Sequence, residues 1–279
     1  MISLGSWELL KFLNRYRWVF CQLEALRHCL PPSVRRTLDE LPESLDGTYE
    51  RILQEIKRPN REHALRVLKC LVAAIRPLDI EELAEVLAVD FEDAEWAPKL
   101  KAGWCWEDQE QALLSSCSSL IPIVDGDGSR VVRFSHVSVK EFLTSPRLAT
   151  SSGDISRYHI DLEPAHTILA EASLGVLLQL YDRIHKKDIQ INSPLARYAA
   201  QYWDTHAQFK NVSMQVHRAM EFLIDPDMPH FVAWLYLYDI DLIFPSESVF
   251  RLSKGIYKSV ATPLYYGALW IPRPRKAPH

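Results

Sequence analysis

Along most of the chain apolar residues recur at helical intervals, and prolines cut the pattern into short pieces. From Ser6 to Leu30, Trp7, Leu10, Phe12, Tyr16, Trp18, Phe20, Leu23 and Leu26 cover more than one face. This predicts a helix buried against other structure and ended by Pro31-Pro32. Ser33 is placed to cap a short successor that stops at Pro42. Leu45, Tyr49, Ile52, Leu53 and Ile56 mark the next helix, with Gly47 as its weak point. Asn60 opens another, striped by Leu65, Leu68, Leu71, Val72 and Ile75. Asp79 and Glu82 have capping-box spacing ahead of Ile80, Leu83, Ala84 and Leu87. Residues 90–108 lose the period and predict an irregular loop ordered by docking of Trp104 and Trp106. A short helix over 110–117 follows.

Between Leu120 and Thr144 the period changes. Ile121, Ile123 and Val124 precede Asp125-Gly126-Asp127-Gly128, and Val131-Val132-Arg133-Phe134 follow. That is a hairpin, its two glycines supplying positive φ. Ser138 and Glu141 have the spacing of a second capping box, with Val139, Phe142 and Leu143 as the apolar side. The hairpin therefore feeds a short helix, and His136 sits at the joint. Three short helices followed by a hairpin is the element order of a winged helix. Residues 145–156 read as a polar linker. Helices are predicted from Pro164 through Leu178, from Ser193-Pro194 to His206, over 212–224 and over 229–238, with a charged loop over 181–192. The fold class is mostly α: a helical bundle or solenoid-like array with one winged-helix domain carrying a small β-hairpin. Its expected divisions are a helical linker (1–58), the winged helix (59–148), a helical region (149–250) and a C-terminal segment (251–279).

Composition narrows the environment more than the chemistry. The 279 residues are 48% hydrophobic and 24% charged with a net charge of −4, an ordinary globular balance with no global pull towards nucleic acid or anionic membrane. Five cysteines, odd in number and never spaced C-x-x-C, read as free thiols in a reducing compartment. Glu8 and Lys11 interrupt the apolar N-terminus, unlike a secretory signal, and no apolar run approaches the roughly 18 residues of a membrane span. A cytoplasmic, soluble protein is expected.

Enzyme motifs are missing: there is no phosphate loop, no G-x-G-x-x-G, no G-x-S-x-G and no H-E-x-x-H. His136, Ser138 and Glu141 could form a hydrolytic trio, but the serine and glutamate are better used on backbone donors at the helix start. No catalytic residue is assigned. Asp125 and Asp127 open like a calcium loop yet lack the later acidic ligands, so no metal or cofactor is expected either. The helix that would read DNA, Glu110 to Cys117, carries no lysine or arginine, which argues against nucleic acid. For His136 the residues leave two readings open. One is a hydrogen-bonded ring in a small core; the other is an imidazole N–H contacting a phosphate beside a helix N-terminus.

Several stretches then point to a family. RWVFCQLEALRHCLPPSVRRTLDELPESLDGTYERIL, RPLDIEELAEVLAVD, VVRFSHVSVKEFLTSPRL and PLARYAAQYWDTHA, in that order, resemble fungal NACHT–ankyrin proteins of the STAND class of signalling NTPases. The resemblance covers the region after the nucleotide-binding domain: linker, a winged helix like that of GPI inositol-deacylase, helical region and the start of ankyrin repeats. Its F-x-H-x-S-[VF]-x-[DE]-F-L motif falls on Phe134, His136, Ser138, Val139, Glu141, Phe142 and Leu143. In related NTPases this histidine contacts the nucleotide's β-phosphate, so the resemblance implies that role for His136, towards a nucleotide held by a NACHT domain outside this sequence. Thr262-Pro263-Leu264-Tyr265-Tyr266-Gly267-Ala268-Leu269 resembles the opening of an ankyrin repeat, followed by a basic, proline-rich tail. With no Walker motif present, the implied role is a non-catalytic regulatory and protein-interaction module. Its partners would be a NACHT domain or other STAND proteins, not nucleic acid, membrane or a small-molecule substrate. The alternatives are a truncated structural fragment without activity of its own and, further off, a DNA-binding winged helix.

Overall fold

The computed structural model describes residues 16, 18–21, 23, 30–35, 41–92, 97–104, 108–111, 113, 120–126, 128–180, 193–225 and 228–237. They form two compact units, residues 1–80 with 106–162, and residues 81–105 with 163–279. The described residues are mostly helical with small antiparallel sheets.

In the first unit, helix α1 (Leu45–Glu55) starts where the Ser44 hydroxyl accepts the Gly47 N–H at 3.1 Å. A Cβ on Gly47 would stand 3.2 Å from both Pro42 and the Ser44 hydroxyl, so the residue that looked like a weak point makes room for this cap. Tyr49, Leu53 and Ile56 recur on one face and are buried. Helix α2 (Arg61–Ala73) follows. Its buried stripe is Ala64, Val67, Leu68 and Leu71, and Ile75 lies beyond the helix end, exposed. Asn60 holds the N-cap position, but its side chain does not bond the first turn of the helix. Strand β1 (Leu78–Asp79) then joins the sheet. Of the N-terminal helix, Cys21 is buried and Trp18 Nε1 donates to the Pro42 carbonyl at 3.0 Å, while Tyr16, Val19, Phe20 and Leu23 are exposed, contrary to the burial expected.

The predicted hairpin is β4 (Ile123–Asp125) and β5 (Arg130–Val132); β2 (Val89–Asp90) and β3 (Lys99–Leu100) belong to the second unit. The first sheet has the order β1-β5-β4, with Val132 opposite both Leu78 and Ile123. Of the two turn glycines Gly128 takes positive φ, at 90°, while at Gly126 a Cβ would sit 3.2 Å from the Ser129 carbonyl that closes the turn, a tight approach. The Ser129 hydroxyl donates to Asp79 at 2.7 Å, tying the turn to β1. Next come α4 (Val137–Leu143) and α5 (Pro146–Ala149), then a 3₁₀ turn over Gly153–Tyr158. The stretch expected to be a linker is thus folded. Leu148, Ile155 and Tyr158 are buried there, and three such anchors outweigh the polar residues between them.

In the second unit, α3 (Ile80–Leu87) buries Leu83, Val86 and Leu87. Within the stretch expected to be irregular, β3 pairs with β2, placing Val89 opposite Leu100, and Trp104 remains 50% exposed rather than docked. Trp106 lies outside the described residues, as do the ankyrin-like stretch and the 181–192 loop. Helix α6 (Leu162–Gln179) is apolar on nearly all sides and accordingly buried. Gly175 lies directly against the Pro98 carbonyl, leaving no room for a side chain. Helices α7 (Ala196–Ala207), α8 (Val212–Ile224) and α9 (Pro229–Leu237) pack on one another. Trp203 meets Trp234 edge-on at 5.7 Å, and Trp234 Nε1 donates to the Ala200 carbonyl at 3.2 Å.

Candidate functional site

His136 ends an extended segment (φ −160°, ψ 153°) and caps α4: its Nδ1 accepts the Ser138 N–H at 3.2 Å. The capping box expected from Ser138 and Glu141 is not formed. The helix begins earlier, at Val137, so Ser138 lies inside its first turn and turns inward. Its hydroxyl stands 2.7 Å from His136 Nδ1 and 2.8 Å from Tyr49 Oη. Tyr49 is fully buried, with its ring 5.5 Å from that of Phe142. A buried phenol needs a polar partner, and this need draws Ser138 away from the cap. Glu141 is exposed. His136 itself is half-buried.

Sequence reasoning placed His136 at the joint but missed Tyr49, which read as one more apolar helix position. The available signal was a tyrosine on the buried stripe of α1, whose hydroxyl must find a partner; the sequence does not say which. On the wing, Arg130 gives two hydrogen bonds to Glu110, one of them 2.7 Å long, and holds the Glu110 carboxyl below its usual range. The hairpin arginine is therefore committed to an internal pair.

The second unit carries its own histidine network. His166 Nδ1 and His206 Nδ1 are 2.8 Å apart, and His206 Nε2 is 2.8 Å from Tyr198 Oη. Phe209 stacks on His166 at 4.2 Å. His206 is wholly buried, and burial together with the neighbouring His166 pushes its pKa down to about 3. In the same unit, Glu85 of α3 accepts from Ser193 Oγ at 3.0 Å and from the Leu195 N–H at 2.7 Å, just before α7 begins. The Cys70 thiol, buried in α2, is pushed up to about 12, which leaves it a packing residue.

Residues 49–153 match the family model described as the winged helix domain of GPI inositol-deacylase, a span that opens on Tyr49 and includes His136. The chain is 30% identical over 247 residues to the azaphilone pigments biosynthesis cluster protein L of Monascus ruber, covering 83% of this chain and 49% of that protein. It is 24% identical over 259 residues to the vegetative incompatibility protein HET-E-1 of Podospora anserina, covering 82% of this chain and 17% of that protein. The chain thus spans about half the length of the first relative and much less of the second. No solved structure matches it.

Proposed function

We propose, from the match of residues 49–153 to the winged helix domain of GPI inositol-deacylase, that this chain is a non-catalytic regulatory and protein-interaction module of a STAND signalling system. The winged helix relays the nucleotide state of a NACHT domain to the helical region, in the cytoplasm. His136 supplies a phosphate contact to nucleotide held on that partner domain. The observation that carries the reading is His136 itself. It falls on the histidine of the family motif, and its ring is fixed by Ser138 at the mouth of α4 instead of swinging free. The resemblance of the chain to a vegetative incompatibility protein supports a signalling role over a metabolic one.

The test combines two measurements. The purified chain should neither hydrolyse nor tightly bind ATP or ADP; turnover by pure protein overturns the reading. A separately expressed NACHT domain from a fungal NACHT–ankyrin protein should bind the chain more tightly when loaded with ADP than when empty. His136→Ala should remove about tenfold or more of that increment, the value of a hydrogen bond to a charged group. Equal binding by the loaded and empty domain, or by wild type and variant, also overturns it.

A further inference from the structure

We infer that Tyr49 is a positioning residue for His136: its buried hydroxyl sets a one-way hydrogen-bond chain that holds the imidazole in the Nε2–H tautomer. The argument needs only donor and acceptor bookkeeping. The Ser138 backbone N–H can donate and nothing else, so the Nδ1 atom it reaches at 3.2 Å presents a lone pair. An Nδ1 without a proton cannot donate to the Ser138 hydroxyl 2.7 Å away, so that hydroxyl donates to the ring. Ser138 Oγ has then spent its only proton. Towards Tyr49 Oη, at 2.8 Å, it can only accept, and the phenol must donate. The direction of the whole chain is fixed: Tyr49 O–H to Ser138, Ser138 O–H to His136 Nδ1, and the ring proton on Nε2.

Reversing the tautomer is costly because it removes the acceptor of the Ser138 N–H and makes the buried hydroxyls turn round. Tyr49 cannot give way, since it is fully buried on α1 and packed against Phe142. A residue of α1 thereby controls which atom of His136 can donate. The same contact joins α1 to α4 across 89 residues of sequence. This deepens the proposed phosphate contact, and rests on it only for its purpose: an Nε2–H donor is the form that an anion accepts.

The experiment leaves nucleotide out, so its failure is distinct from failure of the phosphate contact. Nitrogen-15 imidazole spectra of the full chain at neutral pH report the tautomer of His136, assigned by its loss in His136→Asn. The wild type should show Nε2–H. In Tyr49→Phe, which keeps the ring, and in Ser138→Ala, the Nδ1–H population should rise about fivefold, the change that one net hydrogen bond carries. Tyr198→Phe deletes the matching hydroxyl in the other unit and should leave His136 unchanged. An Nδ1–H ring in the wild type overturns the inference. So does an unchanged tautomer ratio in either Tyr49→Phe or Ser138→Ala with the fold intact by amide spectra.

Discussion

Each of the two units holds a histidine between a hydroxyl and a second polar partner, yet the two rings are put to opposite use. His136 is half-buried at the start of α4, and its Nδ1 serves a backbone N–H. His206 is sealed within the helical unit, with one nitrogen on His166 and the other on Tyr198. In the first case the protein spends one ring nitrogen on structure and leaves the proton on the other. In the second both nitrogens are spent on side chains forty positions upstream and eight upstream. A ring with both nitrogens committed inside a core is a staple. One whose Nδ1 is held as an acceptor at a helix start is a positioned donor through Nε2.

This contrast predicts unequal penalties for the same truncation. His206→Ala should cost about 4 kcal/mol, because it opens a cavity and removes a buried hydrogen bond from both Tyr198 and His166. Urea unfolding measures it, and a cost below about 1 kcal/mol would remove the staple from the comparison. Glu85→Ala tests the neighbouring polar anchor. It leaves the Leu195 N–H and Ser193 hydroxyl without their carboxylate and should cost about 3 kcal/mol in the same assay. Glu85→Gln, which can still accept, should recover part of that loss.

Acid gives a second handle on His206. His206 has its pKa lowered from the ordinary 6.5 to about 3, so between these values the unfolded chain binds a proton that the folded one refuses. Stability contributed by the neutral ring is present above pH 6.5 and is lost progressively as pH falls towards 3. By pH 5 the loss should be about 2 kcal/mol. The urea midpoint followed from pH 7 to pH 5 checks this, and His206→Phe should flatten the slope. Equal slopes in His206→Phe and wild type would assign the acid response elsewhere.

What the sequence made legible follows from the range of the forces involved. Helices α8 and α9 stand where the 3.6-residue period and Pro229 put them, and the hairpin where Asp-Gly pairs interrupt β-branched runs. Strands β1, β2 and β3 are two residues long, too short to display any period, and their pairing partners lie elsewhere in the chain. The folded stretch after Thr144 was hidden because three anchors among serines and threonines carry no pattern. The candidate site divides in the same way. His136 was legible from a local motif. Its partnership with Tyr49 was not, because a hydrogen bond across 89 residues leaves no mark on local spacing. The Ser138–Glu141 spacing even pointed the wrong way: capping-box geometry is a local rule, and a long-range bond from a buried phenol overrode it.

The smallest effect is the most informative, because it divides structure from function within one residue. His136→Ala removes an N-cap and should cost about 1 kcal/mol. Asparagine is a better intrinsic cap than histidine, and its side-chain oxygen can accept both the Ser138 N–H and the Ser138 hydroxyl now on Nδ1. His136→Asn should therefore fold within about 0.5 kcal/mol of wild type by urea unfolding. It nevertheless lacks the far edge of the imidazole, so nothing stands where Nε2–H stood. If His136 is a positioned donor, this variant keeps its stability and loses the ADP-dependent increment in binding a NACHT domain. If His136 is only a cap, stability and binding are retained together. A variant that loses both would place His136 with His206, as a staple, and the difference between the two units would collapse.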